Sequence, residues 1–475
     1  MNSMENAIPL CVDLDGTLTP VDTLHESLLN LVRRAPAFLL KLPILLAKGK
    51  ALVKQAVAAQ ARIDVVLLPL RTDLLEWIKA ERASGRRLVL VTASDRKMAE
   101  AMQDHLKLFD EVIASDGSEN LSGAHKRAAL VTRFGEKGFD YVGNESKDLA
   151  VWRFSRRAIV VGNSGLADRA RRVADVERVF PVVAPSLGLW IRAARPHQWV
   201  KNVLIFLPAL LAHSILKPDI LFESILAFVA YGLCASSVYV INDLLDLDSD
   251  RRHPRKRHRP FASGALSARG GLVFASVLLV AAISIAITVG IRFCIVLAGY
   301  YALTWAYSVR LKRAAIVDVM ALAALYTMRI IAGAAATGIA PSFWLLAFSI
   351  FAFMSLGVVK RYTELYDADK AGTVGGHGRG YRANDLSLLM SLGTAAGFCS
   401  VVVMALYINS TDSQLLYTHK RALWLICPLM LYWISRVWLL TARGQMHDDP
   451  VVFAMRDRIS LATFGLIGLI VLLSI

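Results

Sequence analysis

From residue 187 onward the chain carries about nine apolar stretches, each near the twenty residues a helix needs to cross the hydrocarbon core of a bilayer. They run roughly over 200–216, 220–241, 271–290, 291–307, 314–336, 343–359, 386–407, 422–440 and 459–475. A water-soluble fold cannot hide so many, so the chain reads as an integral, multi-pass membrane protein. Composition agrees: 55% of the residues are hydrophobic and only 19% charged. The net charge of +16 is the mark of many nucleic-acid binders. Here the basic residues sit in the loops between apolar stretches, where topology and anionic headgroups account for them, and nucleic acid is excluded as a partner. Arg251, Arg252, Arg255, Lys256, Arg257 and Arg259 follow the second stretch, Arg310, Lys312 and Arg313 the fourth, and Lys360, Arg361, Lys370 and Arg382 the sixth. The alternate loops are nearly free of them. That asymmetry predicts a multi-pass protein of the cell inner membrane with its N-terminus in the cytoplasm. The start of the chain has no basic segment followed by a long apolar run, which fits the same placement.

The first part of the chain is of another kind. Short apolar runs at 10–14, 88–91, 111–114, 139–143 and 158–161 alternate with helical segments, the pattern of buried strands in a parallel sheet. The stretch 35–61 has the helical period, but Lys41, Pro43 and Lys54 interrupt it. A helical cap that touches the membrane surface is expected there. The predicted organisation is an α/β domain over 1–183, an amphipathic linker over 184–198 and an all-α membrane bundle over 199–475. The five cysteines are scattered without a CxxC pair and read as small packed residues.

Asp13-Leu14-Asp15-Gly16-Thr17-Leu18-Thr19 follows the first apolar run. Two carboxylates two residues apart can take separate tasks, one attacking phosphorus, the other protonating the leaving oxygen and then activating water. Both need Mg²⁺ to shield them from a phosphate dianion. This DxDGTLT run resembles the first motif of the HAD phosphatases, which have a Rossmann-like α/β fold with a helical cap. The resemblance implies Asp13 as nucleophile and Asp15 as acid/base. Thr92, in Val-Leu-Val-Thr-Ala-Ser, is similar to the second-motif hydroxyl that binds phosphate, and Lys126 to the third-motif lysine. The run from Tyr141 to Asp148 resembles the acidic fourth motif, with Asn144 where the family commonly has aspartate and Asp148 retained. By resemblance Asp13, Asp15, Asn144 and Asp148 hold the Mg²⁺.

The second apolar stretch ends in Asn242-Asp243-Leu244-Leu245-Asp246-Leu247-Asp248-Ser249-Asp250. Asp243, Asp246 and Asp250 are three and four residues apart, so a continuing helix places all three on one face. Acidic residues at a span end are costly unless they work, and holding Mg²⁺ against a diphosphate is work that suits them. His253-Pro254 then breaks the helix, and Lys256 and Arg259 in the turn can meet phosphate oxygens. NDxxDxxxD after a second span resembles the signature of the UbiA superfamily of intramembrane prenyltransferases, whose fold has nine spans.

After the sixth span Lys360, Glu364 and Asp367 share a helical face, with Arg361 beside them. This departs from the DxxxD common in that superfamily. Arg195-Pro196-His197-Gln198-Trp199-Val200-Lys201-Asn202, HPxKxxRPxASG and KRxxE are instead similar to the decaprenyl-phosphate phosphoribosyltransferase branch. The resemblance implies two substrates, phosphoribosyl pyrophosphate and a polyprenyl (decaprenyl) phosphate. It also implies Asp243, Asp246 and Glu364 as catalytic residues, and Mg²⁺ on Asn242, Asp243, Asp246, Asp250, Glu364 and Asp367. Arg195, Lys201, Asn202, Lys256, Arg259, Lys360 and Arg361 would bind substrate. The expected sequence of reactions is phosphoribosyl transfer followed by removal of the 5-phosphate. An aromatic polyprenyltransferase whose HAD domain serves an unrelated phosphate is the alternative enzyme; a non-catalytic lipid-binding scaffold is the alternative of another class. A homo-oligomer is compatible with each. In the fifth stretch, Arg329 either faces the site cavity or joins an ion pair that orders the bundle.

Overall fold

The computed structural model describes residues 8–61, 63–116, 120–370, 380–446 and 449–475. It divides into two compact units, one of Met1–Ala194 with Tyr239–Ala275, the other of Arg195–Val238 with Ser276–Ile475.

The first unit is built on a six-stranded parallel sheet. Its strands are β1 (Leu10–Val12), β2 (Leu88–Asp95), β3 (Glu111–Ser115), β4 (Asp140–Gly143), β5 (Arg157–Gly162) and β6 (Asp175–Pro181), in the order β3-β2-β1-β4-β5-β6. Alternation along the strands splits the core in two. Leu10, Val12, Leu88 and Leu90 pack on one face, and Cys11, Val89, Val91 and Tyr141 on the other. β1 to β5 lie where apolar runs announce strands. β6 (Asp-Val-Glu-Arg-Val-Phe-Pro) lies at the sheet edge, keeps most of its residues in contact with solvent, and so has no continuous apolar run to reveal it. The chain turns in opposite directions on either side of β1, the topological switch point at which doubly wound sheets open a crevice beyond the strand ends.

Helix α1 (Thr23–Arg34) follows β1, capped by Asp22, whose carboxylate accepts from the N–H groups of Leu24 and His25. The stretch 35–61 is three pieces, Pro36–Lys41, Leu42–Lys48 and Lys50–Gln60, broken where Gly49 takes φ +127. Leu40, Ile44 and Leu46 are exposed there, beside exposed Lys41. Residues 187–194 of the expected linker form a short helix.

The same unit holds the loop that carries the acidic motif. α2 (Pro218–Leu245) ends in it, α3 (Leu247–Arg252) follows, and the chain returns through Phe261 and Leu266 to the first residues of α4 (Ala268–Val289). Leu29 of α1 packs with Leu244, Leu247, Phe261 and Leu266. Gly264, at φ +75, brings this loop against the N-terminal domain, since a Cβ there would stand 2.7 Å from the Pro20 ring.

The second unit is helical. It contains most of α2 and α4, α5 (Ile291–Val309), α6 (Val317–Thr337), α7 (Phe343–Lys370), α8 (Leu386–Ile408), α9 (Ile426–Ala442) and α10 (Arg458–Ser474). Among the described residues six helices are long and apolar enough to cross a bilayer, where about nine stretches stand in the sequence. The difference has local causes. The first stretch is a 3₁₀ segment, Pro196–Phe206, and a single short helix, Leu207–Leu211, which His213 ends at φ +53. α5 carries Arg292, three tyrosines and Trp305 among its apolar residues, and α10 has only 17 residues.

Candidate active sites

Beyond the ends of β1, β2 and β4, the N-terminal side chains converge. Lys126 Nζ donates to Asp13 Oδ1 at 2.7 Å, and Thr17 Oγ1 lies 3.2 Å from Asp13 Oδ2 and 3.0 Å from Asn144 Oδ1. Gly16 makes the turn at φ +72, where any other residue would be strained, and a Cβ there would stand 2.1 Å from the Asn144 amide nitrogen and push that side chain aside. Asp15 turns the opposite way from Asp13, accepting from the Thr23 N–H at 2.9 Å and from the Ser94 hydroxyl. Burial pushes the Asp13 carboxyl up to about 7, against the pull of the Lys126 ammonium, and burial raises Asp15 as well.

Two expected members stand differently. Asp148 accepts from the N–H groups of Asn144 and Glu145, each at 2.9 Å, and from the Tyr141 hydroxyl at 3.0 Å. It holds the loop that presents Asn144. Thr92 is fully buried, its hydroxyl accepting from the Ser94 N–H at 3.0 Å, so Ser94 is the hydroxyl that reaches Asp15. Asp13 and the Asn144 carbonyl oxygen, brought together by Thr17, form an oxygen donor set that fits Mg²⁺. A cleft of about 560 Å³, bordered by Gly16, Asn144, Arg71, Lys147 and Arg169, opens beside them.

The acidic motif is not one helical face. α2 stops at Leu245, and Asp246 takes φ −101 and ψ 14 before α3 starts. Asp243 and Asp250 still converge, on the guanidinium of Arg259, with Nη1 3.0 Å from Asp243 Oδ1 and 2.7 Å from Asp250 Oδ2. Asp246 faces a different arginine, Arg33 of α1, at 3.3 Å. Among the described residues no three acidic, His or Cys side chains gather as a ready metal cluster. The Arg259 guanidinium lies between two buried carboxylates as a stand-in cation, and that donor chemistry fits a divalent ion. Asn242 is half-buried and Lys256 exposed.

In the second unit a different set meets. Asp449, the N-cap of a short helix, accepts from Lys201 Nζ at 2.7 Å, Lys360 Nζ at 3.4 Å and the Tyr326 hydroxyl at 3.2 Å. Next to Lys201, Asn202 accepts from Arg329 Nε at 3.0 Å, while its own buried amide nitrogen has no partner among the described residues. Arg329 sits 5.3–5.4 Å from the ring centres of Tyr231, Tyr300 and Tyr326. Asp318 does not pair with it. That carboxylate is bonded to Arg361, which also donates to Glu364 at 2.5 Å and Tyr307 at 2.6 Å. Arg361 is thus committed to a buried network apart from Lys201 and Lys360, and Asp367 is exposed. Arg195, half-buried, takes a left-handed φ of +54 just before Pro196.

The profile of the UbiA prenyltransferase family matches residues 202–461, more than half of the chain. The chain belongs to the UbiA prenyltransferase family. Residues 10–133 match the haloacid dehalogenase-like hydrolases, so a UbiA domain and a HAD-like domain share one polypeptide. An uncharacterised protein of Sinorhizobium fredii is 37% identical over 97% of this chain and 90% of its own length. Nodulation protein NoeC of Azorhizobium caulinodans is 37% identical over 57% of this chain and 88% of its own. Decaprenyl-phosphate phosphoribosyltransferase of Mycolicibacterium smegmatis is 30% identical over 62% of this chain and 96% of its own.

Within this UbiA protein, reading the sequence missed Asp449, Ser94 and Arg33. The pair Asp449-Pro450 is a helix-start signal, cap then proline, but nothing local says that two lysines will meet the carboxylate. Arg33 ends an N-terminal helix whose sequence has no link to the acidic motif.

Proposed function

We propose that the UbiA domain transfers 5-phosphoribose from phosphoribosyl pyrophosphate to a polyprenyl (decaprenyl) phosphate, and that the HAD-like domain then removes the 5-phosphate. The reading rests above all on the donor set around Asp449. Lys201, Lys360 and Tyr326 all donate to one carboxylate and so suit an anion, and an acceptor that is already a phosphate monoester needs such positioning more than a general base. The resemblance to a decaprenyl-phosphate phosphoribosyltransferase supports the same reading.

In the transfer, an oxygen of the lipid phosphate attacks C1 of the ribose, the C1–O bond to the diphosphate breaks, and pyrophosphate leaves. Lys201 and Lys360 orient the attacking phosphate, and Asp243, Asp246 and Asp250 provide the carboxylates for the diphosphate end. Bound Mg²⁺ supplies the charge that lets acidic side chains and phosphate oxygens share a site. Glu364 orders Arg361 within α7. In the second reaction an Asp13 oxygen attacks the 5-phosphorus, and the ribose O5 leaves with the proton of Asp15. Asp15 then takes a proton from the water that cleaves the aspartyl-phosphate. Lys126 and Asn144 hold the phosphate and the Asp13 carboxylate in register. One chain carrying both sites keeps the first product at high local concentration for the second. The basic loops support a cytoplasmic orientation of both sites at the inner membrane.

Mass analysis of lipid extracted after incubation with polyprenyl phosphate, Mg²⁺ and phosphoribosyl pyrophosphate tests the reading. The expected product is polyprenyl-phosphoryl-ribose. A prenylated aromatic from a polyprenyl diphosphate, with no ribosyl lipid, would refute it.

A further inference from the structure

Helix α1 belongs by sequence to the HAD-like domain, yet one stripe of it runs from that domain's catalytic aspartate to the acidic motif. Thr23, Glu26, Asn30 and Arg33 are spaced three, four and three apart and so share a face. The Thr23 N–H donates to Asp15 at 2.9 Å, and its hydroxyl lies 2.8 Å from that of Ser94. One turn on, Glu26 takes both terminal nitrogens of Arg251, at 2.7 and 2.6 Å, with both side chains buried. Asn30 donates to Asp248 at 2.9 Å. In the last turn Arg33 Nη1 lies 3.3 Å from Asp246 and 3.5 Å from the Leu245 carbonyl. At helical rise the stripe covers about 15 Å. Glu26 and Asn30 fix the helix against the motif, so Arg33 is brought there by the fold and not by a chance surface contact.

We propose that Arg33, supplied by the HAD-like domain, is a diphosphate-binding residue of the transferase. This rests on the reading of the acidic motif as the diphosphate site. Arg259, the motif's own arginine, is shared between Asp243 and Asp250. Among the described residues Arg33 is tied through one terminal nitrogen, and it is more than a third exposed, so much of its five-donor fork faces solvent. A diphosphate carries more negative charge than one divalent ion neutralises, and a guanidinium beside Asp246 meets the remainder while still touching the carboxylate. The phosphatase domain then completes the site whose product it consumes.

Calorimetry on the full detergent-solubilised chain tests this without turnover, using Mg²⁺ alone and then inorganic pyrophosphate in saturating Mg²⁺. Arg33→Ala should weaken pyrophosphate binding about tenfold, the loss of one charge-assisted contact. Mg²⁺ affinity should hold or tighten, because a competing cation has left Asp246. Arg33→Lys should recover part of the loss, as a point charge without the fork. Melting curves of both variants confirm that they are folded. Equal pyrophosphate affinity in Arg33→Ala and the parent chain overturns the proposal. So does an equal loss for Mg²⁺ alone, which would make Arg33 a residue that merely orders the motif. If the parent chain itself fails to bind Mg²⁺–pyrophosphate, the diphosphate reading of the motif falls first and this proposal with it.

Discussion

Replacing Glu26 with alanine removes two of the three hydrogen bonds of the Arg251 guanidinium and leaves the one to the Ala262 carbonyl, at 2.9 Å. The two side chains are 5% and 4% exposed, so water cannot take the place of the lost carboxylate. A buried charge deprived of its partner costs about 3–5 kcal/mol, against about 1 kcal/mol or less for a solvated pair. For a folded unit of this size each kcal/mol moves the midpoint about 2–4 °C, so the apparent melting temperature should fall by about 6–20 °C. Trp77, Trp152 and Trp190 lie in this unit, and differential scanning calorimetry of the solubilised full chain reads its transition. The double variant Glu26→Leu/Arg251→Met takes away both charges and should melt close to the parent, because a buried ion pair gains little over a well-packed apolar pair. A fall below about 2 °C in Glu26→Ala, or a double variant worse than either single one, would show that the pair is hydrated and does not fasten α1 to the acidic loop.

Asp13→Asn removes the nucleophile and leaves the transferase residues in place, so lipid product should accumulate heavier by one phosphate group, as mass spectrometry will show. Asp243→Asn should abolish lipid transfer while hydrolysis of a small phosphate ester by the N-terminal domain continues; transfer near the parent rate would take Asp243 out of the mechanism. Asn144→Asp restores a charged oxygen beside Asp13 and should lower the Mg²⁺ concentration needed for half-maximal phosphatase activity by about tenfold, measured by metal titration; an unchanged requirement would place the ion away from residue 144.

The parts of the fold carried by local patterns were open to a reader of the sequence. A strand followed by DxDGT puts Asp13 and Asp15 at a strand end whatever the rest of the chain does, and apolar stretches of twenty residues declare the membrane domain. Pairings between distant residues were not. Glu26 and Arg251 are 225 positions apart, and Lys201 and Asp449 are 248 apart; neither pair has a short-range signature. The spacing of Asp243, Asp246 and Asp250 was legible but its consequence was not. It assumed a helix running on past Leu245, whereas the backbone turns at Asp246 and hands that carboxylate to Arg33. The motif also gave Asp148 by position without showing that it holds a loop. Its three hydrogen bonds depend on the path of the chain between Tyr141 and Glu145.

The carboxylate of Asp449 has a consequence for selectivity. It accepts from both Lys201 and Lys360, and on the proposed reading it fills the place that the lipid phosphate would take. A group tethered by the chain acts as a competitor at an effective concentration in about the millimolar range. Free phosphate and other small anions bind through their charge alone and gain little from displacing it. A polyprenyl phosphate brings a tail worth about 0.8 kcal/mol for every buried CH₂, which no tethered carboxylate can match. On the proposed reading Asp449 is a built-in plug, and an anion with a membrane anchor behind it has the means to pull that plug out.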